Sequence, residues 1–144
     1  MEVAVNVDEM QAGPEMDALV AVWVMEWESV CDEWYDKDGV WQGYTDSFEA
    51  TADFQESDIW NPSRRIQHTW QAVEQMMTQG AAVNINHWDG NSCEDTIWNV
   101  IFAAPHYRGE ASCHTVELAI CRAALRAIED LNKNEKCHQK EVRP

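Results

Sequence analysis

The sequence predicts an α+β domain in which three helices with apolar faces pack on a small antiparallel sheet. Three observations lead to this prediction. Apolar residues recur at helical spacing in three separate stretches, short apolar or alternating stretches lie between residues 81 and 113, and the chain is 144 residues long. A chain of this length normally folds as one domain around one hydrophobic core.

The C-terminal helix is predicted over Thr115 to Leu131, where two apolar stripes lie side by side at helical spacing. The stripes consist of Val116, Ile120, Ala123, Ala127 and Leu131, and of Leu118, Cys121, Leu125 and Ile128. Two adjoining stripes make a broad apolar face, so this helix should be largely buried and the domain should pack around it. Thr115 is suited to cap the N-terminus, and Arg122 and Arg126 are predicted to lie on the remaining polar face.

The first helix is predicted to begin at Glu15, directly after a Gly13-Pro14 turn. Glu15 and Asp17 complement the positive end of the helix dipole. The helix is predicted to fray near Ser29. Its buried face is predicted to consist of Met16, Leu19, Val20, Trp23 and Trp27.

The second helix is predicted to begin at Asn61, because an asparagine N-cap followed by Pro62 at the first helical position is a strong start signal. Gly80 is predicted to end this helix, since glycine readily adopts the left-handed conformation found at helix ends. The buried face is predicted to consist of Ile66, Trp70, Val73 and Met77.

Strands are predicted between the second and third helices. Residues 81–88 alternate apolar side chains with asparagine, which indicates a strand exposed on one face. Residues 96–103 are apolar on both faces, which indicates a central strand. A short third strand is predicted over Tyr107 to Cys113.

The domain is therefore predicted to extend from 15 to 131, with an N-terminal arm at 1–14 and a polar, mobile C-terminal tail at 132–144. Within the domain, residues 28–60 lack regular periodicity and are rich in acidic and aromatic side chains. A long irregular segment inside a compact domain commonly has a function of its own.

The formal net charge is −16, and the acidity is concentrated in the first 60 residues. Residues 26–60 contain eleven acidic residues and a single basic one, Lys37. Such a field repels nucleic acid and anionic membranes, and it favours a basic partner. The sequence therefore predicts no direct nucleic-acid binding and no membrane binding.

The sequence predicts a soluble intracellular protein. Its five cysteines are widely spaced and include no CxxC pair, which suits reduced thiols in a cytosol. Glu2, Asp8 and Glu9 stand where a signal peptide would need a basic region. The longest apolar run, Ala18 to Met25, is too short to cross a bilayer.

Three stretches read EMQAGPEMDALVAVWVMEW, WNPSRRIQHTWQAVEQM and TVELAICRAALRAIED, and with the strands between them they cover residues 9–131. They resemble the helical blocks of the phage ABA-sandwich domain, a family of small proteins encoded by bacteriophages and prophages. The resemblance implies an α/β/α sandwich, a phage origin and action in the bacterial cytoplasm, and it implies no reaction. This chain departs from the family pattern at Arg64-Arg65 and in the acidity of residues 28–60.

An anion-binding site is predicted at the start of the second helix. Arg64 and Arg65 are placed there in the first helical turn, where free backbone N–H groups and the helix dipole also favour an anion. The alternative is that these arginines only neutralise the acidic segment before them. The candidate ligand-binding residues are Trp60, Ser63, Arg64, Arg65, Trp88, Tyr107 and Arg108.

The sequence predicts no catalytic residue, no cofactor and no metal. The segment from Asp32 to Asp38 does not fit the template of a calcium-binding loop. No serine–histidine or cysteine–histidine nucleophile can be placed either. A zinc site is not predicted either, because no standard zinc-binding pattern matches the spacing of His87, Cys93, His106, Cys113 and His114.

The leading hypothesis from the sequence is a non-enzymatic immune-evasion protein that sequesters a host defence factor, with a nucleotide-derived signalling molecule as the first candidate. The alternative is an acidic inhibitor whose segment 28–60 occupies a basic surface of a host defence protein, a nucleic-acid-binding protein among them. A phage accessory or structural protein is the third hypothesis. The oligomeric state stays open, a homo-oligomer included. The partner-binding residues of the alternative are Asp32, Glu33, Trp34, Asp36, Asp38 and Trp41.

Overall fold

The computed structural model describes residues 7–45, 58–88 and 97–141. Within these residues the chain forms three α-helices and two three-stranded antiparallel sheets, which confirms the predicted α+β class. The helices are α1 (Pro14–Leu19), α2 (Ile66–Thr78) and α3 (Val116–Glu141). The strands are β1 (Glu28–Val30), β2 (Glu33–Tyr35), β3 (Trp41–Tyr44), β4 (Ala82–Trp88), β5 (Ile97–Ala104) and β6 (Tyr107–Cys113).

Helix α3 is the centre of the core. It contacts β5 and β6 and also α2 and the helical segment that follows α1. Its predicted burial is confirmed, because Ile120, Cys121 and Leu125 are fully buried. Thr115 accepts a hydrogen bond from the Leu118 N–H at 3.3 Å, as expected of an N-cap. The helix continues to Glu141, ten residues beyond the predicted end and into the predicted tail.

The sheet formed by β4, β5 and β6 has β5 at its centre, as predicted. Strands β4 and β5 pair along their whole length, from Ala82 opposite Ala103 to Trp88 opposite Ile97. The core face carries Val83, Ile85, Trp98, Val100, Phe102, Ala111 and Cys113. Alternation along the strands places the asparagines of β4 and the polar residues of β6 on the other face.

The first helical stretch changes its geometry halfway. After α1, the segment Val20–Val24 forms a π-helical turn in which the Met25 N–H donates to the Val20 carbonyl at 3.0 Å. Glu26 adopts a left-handed conformation and the Trp27 N–H donates back to the Ala21 carbonyl at 2.9 Å, which ends the helix. Met16, Val20, Ala21 and Val24 are fully buried.

The segment predicted to be irregular contains the sheet β1–β2–β3. Its strands are only three or four residues long, too short to produce a periodic signal. Cys31 and Asp32 have φ angles of 53° and 64° and form the tight turn between β1 and β2. Gly43 is required in β3, because a Cβ there would lie 2.9 Å from the Asp58 carbonyl oxygen.

Helix α2 differs from the prediction in its start and in its buried face. It begins at Ile66, and the residues before it form a turn in which the N–H groups of Arg64 and Arg65 both donate to the Asn61 carbonyl. Its buried residues are Thr69, Ala72, Val73 and Met76. The predicted face was wrong at three of four positions, since Ile66, Trp70 and Met77 are 43%, 48% and 53% exposed.

Thr69 explains part of this difference. Its hydroxyl donates towards the carbonyls of Pro62, at 2.5 Å, and Arg65, at 2.7 Å, so a polar residue can be buried at no loss of hydrogen bonding. Small residues at 69 and 72 let the helix approach the core closely. The larger side chains then lie on its exposed flank.

Candidate functional site

Trp60, predicted to stack on a ligand, is part of the core. Its indole Nε1 donates to Gln71 Oε1 at 2.6 Å. Its ring lies against Trp27, with centroids 4.6 Å apart, and is stacked on His68 at 6.3 Å. The ring is therefore occupied by the protein itself, and Trp60 is almost completely buried.

Ser63 and Arg64 hold the turn before α2 on α1. The Ser63 N–H donates to Asp17 Oδ1 at 2.8 Å, and the Ser63 hydroxyl accepts from the Gly13 N–H at 3.0 Å. Arg64 Nη2 lies 3.5 Å from Asp17 Oδ2. Asp17 is buried, so this carboxylate connects two elements of the fold and partly neutralises Arg64.

Arg65 occupies the N-cap position of α2, with an extended φ of −119°, so neither arginine lies in the first helical turn as predicted. The positive charge of Arg65 acts on His68. Burial is the main cause that lowers the pKa of His68, and Arg65 lowers it further. Burial and the charge of Arg65 therefore both favour the neutral form of His68.

Trp88, Tyr107 and Arg108 belong to the sheet β4–β5–β6, where Trp88 lies at the opposite end from Tyr107 and Arg108. Trp88 is the last residue of β4, and it is exposed. Arg108 lies opposite Ala103, which pairs with Ala82 at the other end of β4. Tyr107 is buried on the core face, and its hydroxyl has no hydrogen-bond partner among the described residues.

Arg108 is also engaged locally. Its Nη2 lies 3.3 Å from Glu110 Oε1, and its N–H donates to Asp130 Oδ2 at 2.9 Å. The structure thus brings Ser63, Arg64 and Arg65 together. Trp88 and Arg108 lie at opposite ends of the sheet and do not share a pocket.

The residues that the alternative hypothesis assigns to partner binding differ in how far they are exposed. Trp34 is buried in the core, and Asp36 organises its own loop by accepting from the N–H groups of Asp38 and Val40, both at 2.9 Å. Asp32 and Asp38 are exposed in the two turns. Glu33 and Trp41 lie on strands and are available at the surface.

The side chains considered for zinc are spread over the sheet. His87 packs against Trp98 at 4.2 Å, and Cys113 lies opposite Trp98 on the next strand. His106 lies in the turn at the other end of β5. Cys93 falls outside the described residues. In residues 7–45, 58–88 and 97–141, no group of three histidine, cysteine or acidic side chains could hold a metal ion.

A cavity of about 400 Å³ lies at the N-terminal end of α3. The sequence did not predict it. Its walls are formed by Gln11, the first residue of β5, the end of β6 and the first turns of α3. The lining residues are Gln11, Ile97, Ser112, Cys113, His114, Thr115, Leu118 and Arg122.

Arg122 gives this cavity a positive charge. Its Nη2 donates to the Met10 carbonyl at 2.6 Å, and its Nη1 lies 3.5 Å from Cys113 Sγ. Its Nε is buried and has no hydrogen-bond partner within the described ranges. Among the described residues that line the cavity none is acidic, so none of them places a carboxylate beside the guanidinium.

Arg122 was predicted to be a surface charge, and the structure corrects this. The helical turn Val7–Glu9 and Met10 cover this part of α3. The sequence of α3 alone does not indicate this contact. One sequence signal was available. Arg122 follows Leu118 by four residues, so both lie on one ridge of a helix that was already predicted to be covered on most sides.

Fold and cavity together define a small α+β domain with a cationic, ligand-sized cavity at the N-terminal end of its longest helix. The chain belongs to the phage ABA sandwich domain family, because the sequence profile of that family matches residues 18–125. The resemblance of the three helical blocks is thereby confirmed.

The fold is also similar to that of a phage protein from Bacillus cereus, known from a crystal structure at 2.0 Å. The TM-score is 0.58 at 18% sequence identity, over 87% of this chain and 99% of that chain. At this identity the similarity establishes a shared fold. No curated protein matches the chain. None of the helices within the described residues is long and apolar enough to cross a membrane.

Proposed function

We propose that the protein acts by binding rather than by catalysis, and that it sequesters a host defence factor in the cytoplasm of an infected bacterium. The first candidate is a nucleotide-derived signalling molecule. Membership in a phage family supports the setting, since small phage proteins that bind a host component commonly antagonise defence. The fold alone does not favour any one ligand, so the proposal depends on the cavity.

The observation that carries the proposal is the charge of the cavity wall. In a chain with a net charge of −16, the described part of the cavity wall contributes one guanidinium and no carboxylate. A guanidinium binds phosphate oxygens through two parallel hydrogen bonds. Ser112, Thr115 and His114 add polar groups around it. A volume of about 400 Å³ is within the usual range for small-molecule sites.

Backbone groups at the start of α3 strengthen this preference for an anion. The first N–H groups of a helix have no partner within the helix and carry the positive end of its dipole. Thr115 and His114 flank this end of α3 and also line the cavity. Phosphate could therefore be held between these N–H groups and Arg122, while Leu118 and Ile97 offer apolar surface to a base or ribose.

The net negative charge opposes the capture of an anion, but most of it lies elsewhere. Residues 26–60, with eleven acidic residues and Lys37, contribute −10 of the net charge of −16, whereas the cavity lies between β6 and α3. Salt screens charges that are more than about 8 Å apart at physiological ionic strength. The local guanidinium should therefore dominate the field inside the cavity.

Calorimetric titration with cyclic dinucleotides and cyclic ADP-ribose isomers tests the proposal. We expect one of these ligands to bind, and Arg122→Gln to weaken it at least about tenfold, because a charged hydrogen bond contributes roughly 1.5–3 kcal/mol. Gln11→Trp should also block binding, since Gln11 is exposed and the larger ring would fill the cavity mouth.

Arg108→Gln is the matched control. It removes the same charge from an exposed arginine at the far end of β6, and binding should remain that of the unmodified protein. If the folded protein gives no heat with any of these ligands, or if both arginine variants weaken binding equally, the cavity is not the site of capture.

A further inference from the structure

The outer face of the sheet β1–β2–β3 is an aromatic surface that no described element covers. Trp34 of β2 points into the core, so its neighbours Glu33 and Tyr35 point the other way. Across the strands, Tyr35 lies opposite Glu28 and Trp41, and Glu33 lies opposite Val30 and Tyr44. We call this surface the β1–β3 outer face: Glu28, Val30, Glu33, Tyr35, Trp41 and Tyr44.

The apolar groups of this face are exposed. Val30 is 50% and Trp41 is 42% exposed. The Trp41 and Tyr44 rings pack edge to face, with centroids 5.3 Å apart and planes at 74°. The Tyr35 hydroxyl lies 3.4 Å from Glu33 Oε2. A small sheet that presents rigid aromatic rings to solvent has the composition of a protein-binding surface.

Charge decides which partner suits this face. Residues 26–45 contain six acidic side chains and one basic side chain, Lys37. Lys37 pairs with Glu26, outside the face. Glu28 and Glu33 therefore give the aromatic face a negative potential.

Three kinds of partner are disfavoured by this potential. Nucleic acid and anionic membranes carry like charge and are repelled. A second copy of the chain brings a net charge of −16 and is repelled at long range. A basic protein surface is attracted both by the whole chain and by the face itself.

We propose that the β1–β3 outer face is a docking surface for a basic protein, whose arginine and lysine side chains pair with Glu28 and Glu33 and lie over the rings of Trp41, Tyr35 and Tyr44. Guanidinium and ammonium groups are attracted both to carboxylates and to aromatic faces. The face shares no residue with the Arg122 cavity. Ligand capture and docking can therefore be tested independently.

Binding of a synthetic peptide of alternating arginine and serine, followed by tryptophan fluorescence and calorimetry, tests the docking surface. Glu28→Lys with Glu33→Lys should weaken binding at least about tenfold, and Trp41→Ala should weaken it by a similar factor. Trp41→Leu keeps an apolar strand residue and removes only the ring, so its intermediate loss would measure the cation–π part. Affinity should fall steeply as salt rises from about 50 to about 300 mM.

The control is a double variant with the same change in net charge, Glu15→Lys with Glu74→Lys, because both residues are exposed on helices away from the face. It should weaken peptide binding by no more than about twofold. Equal losses in the two double variants would mean that net charge alone attracts the peptide, and would overturn the proposal.

Two further outcomes are decisive. If light scattering reveals a dimer that Glu28→Lys with Glu33→Lys dissociates, the face binds a second copy and the proposal is wrong. Nucleotide binding measured on the same double variant should be unchanged. Loss of both nucleotide binding and peptide binding in this variant would mean that an effect on the whole protein, and not the face, explains the lost peptide binding, and would overturn the proposal.

Discussion

Two of the contacts that the helices make differ in kind. Helix α3 lies on β6 at Gly109, where an added Cβ would be 2.1 Å from the Ala123 carbonyl oxygen and 2.3 Å from the Ala127 nitrogen. The turn before α2 is held on α1 through hydrogen bonds to buried Asp17. The first contact depends on shape and the second on polar groups, so they should respond to different perturbations.

Arg64, which takes part in the polar contact, and Arg122, which does not, differ in their electrostatic surroundings. Arg64 lies beside the Asp17 carboxylate, whereas the described residues that line the cavity around Arg122 include no carboxylate. An arginine whose charge is balanced within the fold contributes to stability, and one whose charge is not balanced is suited to a ligand. For this reason the ligand site that we propose is the Arg122 cavity and not the turn before α2.

The largest expected effect is on the shape-dependent contact. Gly109→Ala would force a methyl group into backbone atoms of α3, which cannot rotate away as a side chain can. We expect a loss of roughly 3 kcal/mol or more in the free energy of unfolding, measured by urea denaturation.

Gly80→Ala provides the comparison for Gly109→Ala. Gly80 has a φ of 98° but no atom within 4 Å of an added Cβ, so only backbone strain of about 1–2 kcal/mol opposes alanine there. If Gly109→Ala is tolerated as well as Gly80→Ala, the close contact between α3 and β6 does not exist.

The second prediction concerns the polar contact. Asp17→Ala leaves the Ser63 N–H without its acceptor in a buried environment, and we expect a loss of about 2 kcal/mol in urea denaturation. Arg64→Ala should lose less than about 1 kcal/mol, because the Arg64 side chain is 47% exposed and solvent screens its charge.

Asp17→Asn separates hydrogen bonding from charge at the same position. The amide oxygen can still accept from the Ser63 N–H, so most of the stability should remain. A loss on Arg64→Ala as large as that on Asp17→Ala would show that the ion pair, and not the hydrogen bond to Ser63, holds the turn.

The shape-dependent region could be predicted from the sequence because its signals are local and long. Helix α3 and strands β4–β6 have apolar patterns that extend over many residues, and their bounds agree with the prediction within one residue, except for the end of α3, which lies ten residues further on. Helix α2 shows the limit of this approach. The large apolar residues Ile66, Trp70 and Met77 suggested its buried face, but Thr69 and Ala72 pack more closely and are buried instead.

The site could not be predicted because it depends on contacts distant in sequence. Arg122 meets Met10, 112 residues away, and Ser63 meets Asp17, 46 residues away. Local patterns cannot tell which of two arginines meets a carboxylate. Strands β1 and β2 were not predicted for another reason, since the turn between them requires left-handed conformations at Cys31 and Asp32, which are uncommon for residues other than glycine.

The smallest expected effect is a pH dependence within the polar contact. His68 Nδ1 lies 3.0 Å from the Asn61 nitrogen and 3.1 Å from Asn61 Oδ1, and it accepts from the Asn61 N–H in the neutral tautomer that leaves Nδ1 unprotonated. Burial first and the charge of Arg65 second lower the pKa of His68 below its ordinary value of 6.5. The unfolded chain therefore binds a proton at a higher pH than the folded chain.

The sign of the effect follows from this difference. Above pH 6.5 both states are neutral at His68 and the full stability is present. As pH falls from 6.5 towards the lowered folded pKa, only the unfolded state gains a proton, so the free energy of unfolding decreases. His68→Asn offers an amide oxygen to the Asn61 N–H and cannot titrate, so it should remove this part of the pH dependence. The measurement is urea denaturation of both proteins on either side of pH 6.5; identical slopes in the two proteins would mean that His68 is not held neutral by the turn.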